Sequence, residues 1–318
     1  MVTIDGFRCS GSGAIVRQAV AFSALTGRPI RVVNVRAKRD KPGLRAQHLR
    51  VIEAVAELVN GQTEGLVQGS REFVFRPGLL KVRRFYRWDI GCAGSTTMLA
   101  LGIVPVLAFA ESPVMVEVRG GLFQDFAPSA FHLQHVVLTL LRQMGLAAEI
   151  EIVRPGYVPR GEGVLRLSVQ PKQGPLQAIV QDKAGPITRV WGIALSSHLE
   201  ERQVSRRMAE AARAVLAQAG YPADIEIRHD TESLQPGAAL ALFADQETTD
   251  PGTTARLGAD QAGAIRRRAE SIGGYVAKQL LQEIESGATL DRFAADQLIP
   301  FAALAEGESR FIIPAITD

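Results

Sequence analysis

The sequence predicts an α+β fold built from repeated helix-and-sheet modules, and three observations carry that prediction. Four times, a segment with apolar residues at helical spacing stops at a glycine and runs directly into a strand pattern. Two of the strand regions that follow are closed by the same tripeptide, at Arg76-Pro77-Gly78 and Arg154-Pro155-Gly156. Strand candidates also come in neighbouring pairs, so the even strand–helix alternation that a doubly wound parallel sheet requires is missing.

The first helix covers Ala14 to Leu25, stops at Thr26-Gly27 and leads into PIRVVNVR, an alternating β pattern. The second, Leu49 to Val59, stops at Asn60-Gly61 and is followed by two strand candidates, GLVQGS and REFVFRPG. His135 to Met144 stops at Gly145 before AAEIEIVRPG, and Arg206 to Ala219 stops at Gly220 before ADIEIRHD. Gly174-Pro175, Gly185-Pro186 and the stretch from Thr248 to Thr254 punctuate the second half. They set off one unit, residues 176–258, read as an inserted smaller α+β domain, with the repeated modules occupying 1–175 and 259–318. The segment from Asp260 to Leu281 reads as one long helix with Gly273-Gly274 as its weak point.

The chain has 318 residues, 47% of them hydrophobic and 22% charged, a balance that excludes a disordered chain and allows a sizeable core. Cys9 and Cys92 are too few for a disulfide framework or a cysteine zinc site, which suits a reducing compartment. The N-terminus MVTIDGFRCS shows no signal-peptide pattern, and the longest apolar stretch, Met98 to Ala110, is too short to span a bilayer. A cytoplasmic protein with no membrane partner is the expectation. The net charge is only +3, but Arg17, Arg28, Arg31, Arg36, Lys38, Arg39, Lys41, Arg45 and Arg50 crowd the first fifty residues. Such clustering fits a polyanion or a nucleotide phosphate as readily as a solvated basic face.

Two segments point toward chemistry. The glycine-rich loop CSGSGAIVR, from Cys9 to Arg17, opens the first helix, where backbone N–H groups and the helix dipole could hold a phosphate or merely form a tight turn. In RAKRDKPGLRAQH, Pro42-Gly43 forces a turn between strand and helix, with Arg36 and Arg39 on one side and Gln47 and His48 on the other. Paired guanidiniums near a turn suit bidentate phosphate recognition. His48 is either a ligand contact or a satisfied buried histidine. His132 and His135 lie three apart on a helix with no third ligand, so core or surface placement is favoured over metal. Asp296 and Gln297 close a helix before Pro300, and no Ser-His-Asp spacing is readable.

At these residues the sequence resembles the RNA 3'-terminal phosphate cyclase family. The matching segments are collinear along nearly the whole chain: IDG near Ile4, ALTGRPIRVVNVRAKRDKPGLRAQHL, FVFRPG, IGCAGSTTMLA, VEVRGG followed by Ala127-Pro128, RPGYVPRGEG and AADQLIPFAALAEGESRF. The resemblance implies three related α+β modules plus a smaller inserted one. It also implies ATP-dependent conversion of an RNA 3'-phosphate to a 2',3'-cyclic phosphate, a ligase-type nucleotidyl transfer. In the family a histidine takes AMP from ATP and passes it to the RNA phosphate, and the vicinal 2'-hydroxyl then displaces it. By position, Arg17, Arg39 and His48 match catalytic residues, and Arg36, Gln47, Asp296 and Gln297 match the ATP-binding set. Pro128 and Phe293 match the positions that sandwich the adenine.

The departures are local. The family loop GEGGGQ is CSGSGA here, which places Ser10 at a glutamate that supports Mg²⁺ or Mn²⁺ and Ala14 at a glutamine. A serine is a poor substitute for a carboxylate on such an ion, so no metal ligand is assigned. Another family glutamine is Leu101, and GGTDNP becomes GGLFQD. The family's nucleophilic histidine follows a segment like SRFIIPAIT, which places it just beyond residue 318. RNA 3' ends and ATP are the implied partners, with a homodimer left open. The alternative reading is a non-adenylylating, cyclase-like RNA-binding or RNA-processing protein; a small-molecule transferase on the same fold is the most distant.

Overall fold

The computed structural model describes residues 1–7, 12–248 and 253–316. In it, the first half of the chain is one βαβαββ pattern used twice. The first copy runs β1 (Val2–Asp5), α1 (Ala14–Thr26), β2 (Ile30–Val33), α2 (Ala46–Val59), β3 (Gln62–Glu64) and β4 (Phe73–Arg76). β1 and β2 pair in parallel through the α1 crossover, while β4 runs antiparallel to both β2 and β3, giving the order β1-β2-β4-β3. The second copy runs β5 (Phe85–Asp89), α3 (Thr96–Leu107), β6 (Val114–Gly120), a broken helix, β7 (Ala148–Arg154) and β8 (Gly163–Val169). Its order, β5-β6-β8-β7, has the same strand senses. The broken helix starts as α4 (Ala130–His132), passes through a π-helical turn at Leu133–Val137 and resumes as α5 (Leu138–Gln143). The punctuation read from the sequence works as expected: Gly27 and Asn60 end α1 and α2 in the left-handed conformation, and Arg76 and Arg154 are the last residues of β4 and β7.

α3 is the central helix. Every residue of it except Met98 is buried. A helix apolar on all sides has to be surrounded, and α3 packs against α1, α2 and α8 (Arg292–Ala302). Gly102 permits the close approach of α2, since a Cβ there would sit 2.8 Å from Val51 Cγ1. Among the described residues no helix is long and apolar enough to cross a membrane.

The second half holds two interleaved parts. β9 (Leu176–Gln177) and β10 (Val180–Gln181) pair in parallel with β15 (Ala305–Glu306) and β16 (Arg310–Phe311), and α8 leads into these last two strands. This is the opening βαβ of a third module, with its first strands separated from its helix by about a hundred residues. The intervening unit contains β11 (Ile187–Ser197), α6 (Val204–Gln218), β12 (Ala223–Asp230), β13 (Gly237–Gln246), β14 (Ala255–Ala262) and α7 (Ala269–Glu285). Its order, β12-β11-β13-β14, is a different topology, so it is not a further copy of the module. It has its own core, in which Met208 and Leu216 of α6 meet Ile272, Val276 and Leu280 of α7.

Three expectations change. The inserted sheet begins at Ile187 rather than at residue 176, and the unit extends past 258 because α7 closes the same core as α6. GLVQGS is a loop, not a strand: Gly65 and Gly69 take φ of +75° and +86°, which breaks an extended run, and β3 lies just before it. The segment Asp260 to Leu281 is not one helix, since Asp260, Gln261 and Ala262 continue β14 against Ala241, Leu240 and Ala239.

The Gly273-Gly274 pair is also explained. A Cβ at Gly273 would lie 2.3 Å from the Met208 carbonyl oxygen, whereas nothing lies within 4 Å of one at Gly274. Gly273 therefore lets α7 press against the α6 backbone, and Gly274 only weakens the helix. Gly273→Ala is expected to destabilise the protein by about 1–3 kcal/mol through overpacking, and Gly274→Ala to stabilise it by about 0.5–1 kcal/mol through helix propensity. Urea unfolding of the two variants checks both signs.

Candidate functional site

The first two modules bring three helix N-termini together. α1 begins at Gly13-Ala14, α2 at Arg45-Ala46 and α3 at Ser95-Thr96. A Cβ at Gly13 would stand 2.3 Å from His48 Nε2, which places the start of α1 against the first turn of α2. The Ser95 N–H at the start of α3 donates to Gln47 Oε1 at 3.2 Å, which ties the third helix to the same place. None of the three carries an acidic residue in its first turn. The partial positive ends of the helices are thus left for an anion.

His48 is buried, and its tautomer follows from a single contact. Its Nδ1 lies 3.1 Å from the Arg45 backbone nitrogen, which can only donate, so the ring proton is on Nε2. Burial, then the charges of Arg36, Arg17 and Arg45, push its pKa down to about 3. His48 is therefore a neutral donor whose Nε2 faces Gly13, and it caps α2 at the same time. Both readings of this residue hold at once: it is a satisfied buried histidine, and its free edge faces the candidate site.

The arginines are held around it by different means. Arg17 lies in α1 and is buried; burial pulls its pKa down to about 10, with Asp296 opposing, so it stays charged at neutral pH. Arg36 sits at φ +52° and turns one guanidinium nitrogen back onto the carbonyls of Lys41 (2.7 Å) and Gly43 (3.1 Å). Burial and the neighbouring Arg45 and Arg39 lower its pKa too, which reports three guanidiniums crowded together. Arg39 is exposed at the rim, in the turn whose N–H donates to the Arg36 carbonyl. The segment from 36 to 44 is sewn onto the GLVQGS loop by Leu44 N–H to Ser70 O and Gly69 N–H to Leu44 O. Gly43, at φ +82°, is forced there, because a Cβ would lie 2.2 Å from the Gly69 carbonyl oxygen.

α8 supplies the far wall. A small cleft is lined by Arg17 and Gln18 of α1, Leu101 of α3, and Gln297 and Pro300 of α8. Asp296, half-buried, acts electrostatically on Arg17. Phe293, 42% exposed, stands at the start of α8. Pro128 is buried, with its carbonyl accepting the Thr97 hydroxyl at 2.7 Å, which anchors the loop before α4 to the first turn of α3. Ser10 lies outside the described residues. Another cleft, of about 570 Å³, lies elsewhere: Gln143, Gln181, Lys183 and Glu247 are among the residues lining it, beside the entry to the inserted unit, and no arginine is among its described lining residues.

A family model described as RNA 3'-terminal phosphate cyclase matches residues 8–318. The chain belongs to this family. Among similar proteins, the RNA 3'-terminal phosphate cyclase of Hyperthermus butylicus is 40% identical over 315 residues, 97% of this chain and 86% of that one. Those of Methanopyrus kandleri and Archaeoglobus fulgidus are each 37% identical over 322 residues, covering 99% and 100% of this chain and 89% and 92% of theirs.

Within this member of the family, sequence reading passed over two features. Arg45 was counted only as part of the basic crowd, although its backbone N–H sets the His48 tautomer and its charge falls on His48 and Arg36. Its place three residues before a histidine at a helix start was the available signal. Asp291, the buried N-cap of α8, was also passed over, and only its place before a helical run marks it. Among the described residues no three His, Cys, Asp or Glu side chains cluster to hold a metal ion.

The depressed His48 pKa has a definite sign. The stability that the neutral ring contributes is present above the ordinary value near 6.5 and is lost as pH falls from there toward 3. His48 should show no ring protonation at pH 5 by NMR. Wild type should lose up to about 1.4 kcal/mol per pH unit more than His48→Gln across that window.

Proposed function

We propose that this protein is an ATP-dependent RNA 3'-phosphate cyclase. The observation that carries this reading is the convergence of Arg17, Arg36, Arg39, Arg45 and neutral His48 on three uncapped-by-acid helix starts. The reaction brings a triphosphate and a terminal phosphate together, so like charge is its main obstacle, and fixed positive groups lower that barrier most when no water has to reorganise. Transfer of AMP to the RNA 3'-phosphate with release of pyrophosphate makes the phosphate electrophilic. Attack by the vicinal 2'-hydroxyl then closes the cyclic phosphate and releases AMP. In the family a histidine first accepts AMP, and the basic residues of the site would supply binding and charge neutralisation for that transfer.

Roles follow from the geometry. Arg17, buried and unable to swing away, suits a phosphate held deep in the site. Arg39, exposed at the rim, suits the incoming RNA phosphate or the outer end of the triphosphate. His48 can donate from Nε2 without adding a further charge to a crowded cationic site. By the family resemblance, Phe293 and Pro128 would hold the adenine between them, with Asp296 and Gln297 one turn along α8 from Phe293.

A non-adenylylating member is the second reading, favoured by Leu101, an apolar side chain beside Arg17 where the family carries a glutamine. One experiment separates the two. The full-length protein is incubated with ATP, a divalent cation and an RNA oligonucleotide bearing a 3'-phosphate. A phosphatase-resistant 3' end formed only with ATP, with AMP as co-product, is the expected result. Folded protein that binds ATP yet leaves the end phosphatase-sensitive supports the second reading. Arg39→Ala is expected to weaken ATP or RNA-end binding by about 1–3 kcal/mol; calorimetric titrations with both ligands check it, and unchanged affinity for both removes Arg39 from the site.

A further inference from the structure

We infer that His132 is a positioning residue for the adenine end of the site, acting through Asp291 on the N-terminus of α8. The inference rests on the cyclase reading above and adds to it a residue outside the matched motifs. Asp291 is fully buried, and a buried carboxylate is costly unless donors surround it. Four donors do. Oδ1 accepts the N–H groups of Phe293 (3.0 Å) and Ala294 (2.9 Å), which caps α8. Oδ2 accepts the Gly258 N–H (3.0 Å) from β14 of the inserted unit. His132 Nε2 lies 3.1 Å from both oxygens. An ionised carboxylate only accepts, so the imidazole is the donor. One carboxylate thus pins the start of α8 to the second module and to the inserted unit together.

His132 has little freedom to do anything else. It is 1% exposed, and its Nδ1 has no hydrogen-bond partner among the described residues, so its polar bonding is spent on Asp291. Gly258 closes against it, since a Cβ there would stand 2.8 Å from His132 Cδ2. On its other side the ring of Phe293 stands edge-on to His132, 6.4 Å between centroids at 89°. His132 therefore sets the helix start, through Asp291, and stands against the ring offered to adenine. Asp296 and Gln297 follow Phe293 by three and four residues, so they share its helix face and move with it. The groups facing the pair are Asp260, whose Oδ2 accepts the Ser129 N–H, and Glu283, which pairs with Arg292. Burial disfavours the charged ring, but Asp291, with Asp260 and Glu283 behind it, more than offsets this and raises the His132 pKa.

The test compares ATP with inorganic tripolyphosphate, which lacks the adenine and reports the arginine cluster alone. Affinities for both are measured by calorimetry on wild type, His132→Phe, which keeps a ring but loses the donor, and His132→Gln, which restores an N–H toward Asp291. The expected result is about a tenfold loss of ATP affinity in His132→Phe, unchanged tripolyphosphate affinity, and recovery in His132→Gln. Unchanged ATP affinity in folded His132→Phe overturns the positioning role, as does an equal fall for both ligands. If His132→Phe does not fold, His132→Asn replaces it: its amide is one methylene shorter than that of glutamine, and the selective ATP loss must then appear in Asn and not in Gln. Wild-type protein that binds tripolyphosphate but not ATP overturns the cyclase reading itself, and the positioning role with it.

Discussion

Like charges held at close range are the constraint on which the site depends. Arg17, Arg36 and Arg45 act on the same buried imidazole, and three helix starts add their partial charges nearby. Left to themselves these groups would separate, so other parts of the chain must hold them. Burial in α1 fixes Arg17, bonds from its own guanidinium to two loop carbonyls fix Arg36, and the helix backbone fixes Arg45. The site is thus charged in advance, and an anion entering it relieves repulsion rather than creating order.

That arrangement explains why the modules pack as they do. The buried faces of α1, α2 and α3 meet over one continuous core, and their N-termini then open on the same side. Gln47 and Glu57 of α2 are polar stitches between the first two modules, and Gly13, Gly43 and Gly102 are places where a side chain would hold the parts apart. The third module reaches the same place with α8 alone. Its helix start is set by Asp291, a carboxylate that also holds the inserted unit, so the two halves of the protein share a buried joint.

Much of this was legible. The helix stops at Gly27, Asn60, Gly145 and Gly220 are local chemistry, and so are the Arg-Pro-Gly strand ends. The misreadings were of segments whose local pattern was overruled by partners far away in the chain. Asp260 to Ala262 has the composition of a helix start, but β13 offers it an edge to pair with. GLVQGS has β-branched and apolar residues, yet Gly69 and Ser70 are needed as the floor under Gly43 and Leu44, and Gly65 takes a positive φ that a strand does not use.

His48 shows where the division falls. Its residue type, its basic neighbours and the turn before it are written in the sequence, and they sufficed to mark it. Whether it is charged, which nitrogen carries the proton and what that nitrogen faces depend on burial and on the Arg45 backbone. His132 and Asp291 carry the same lesson more strongly, for they are 159 residues apart and nothing local links them. The sequence by itself determined the modular α+β class, the helix boundaries set by glycine and the basic character of the site, because each depends on neighbours within a few positions. Tertiary structure alone decided the limits of the inserted unit, the protonation of His48 and the buried His132–Asp291 pair, because dielectric, desolvation and long-range pairing arise only when distant segments exclude water together.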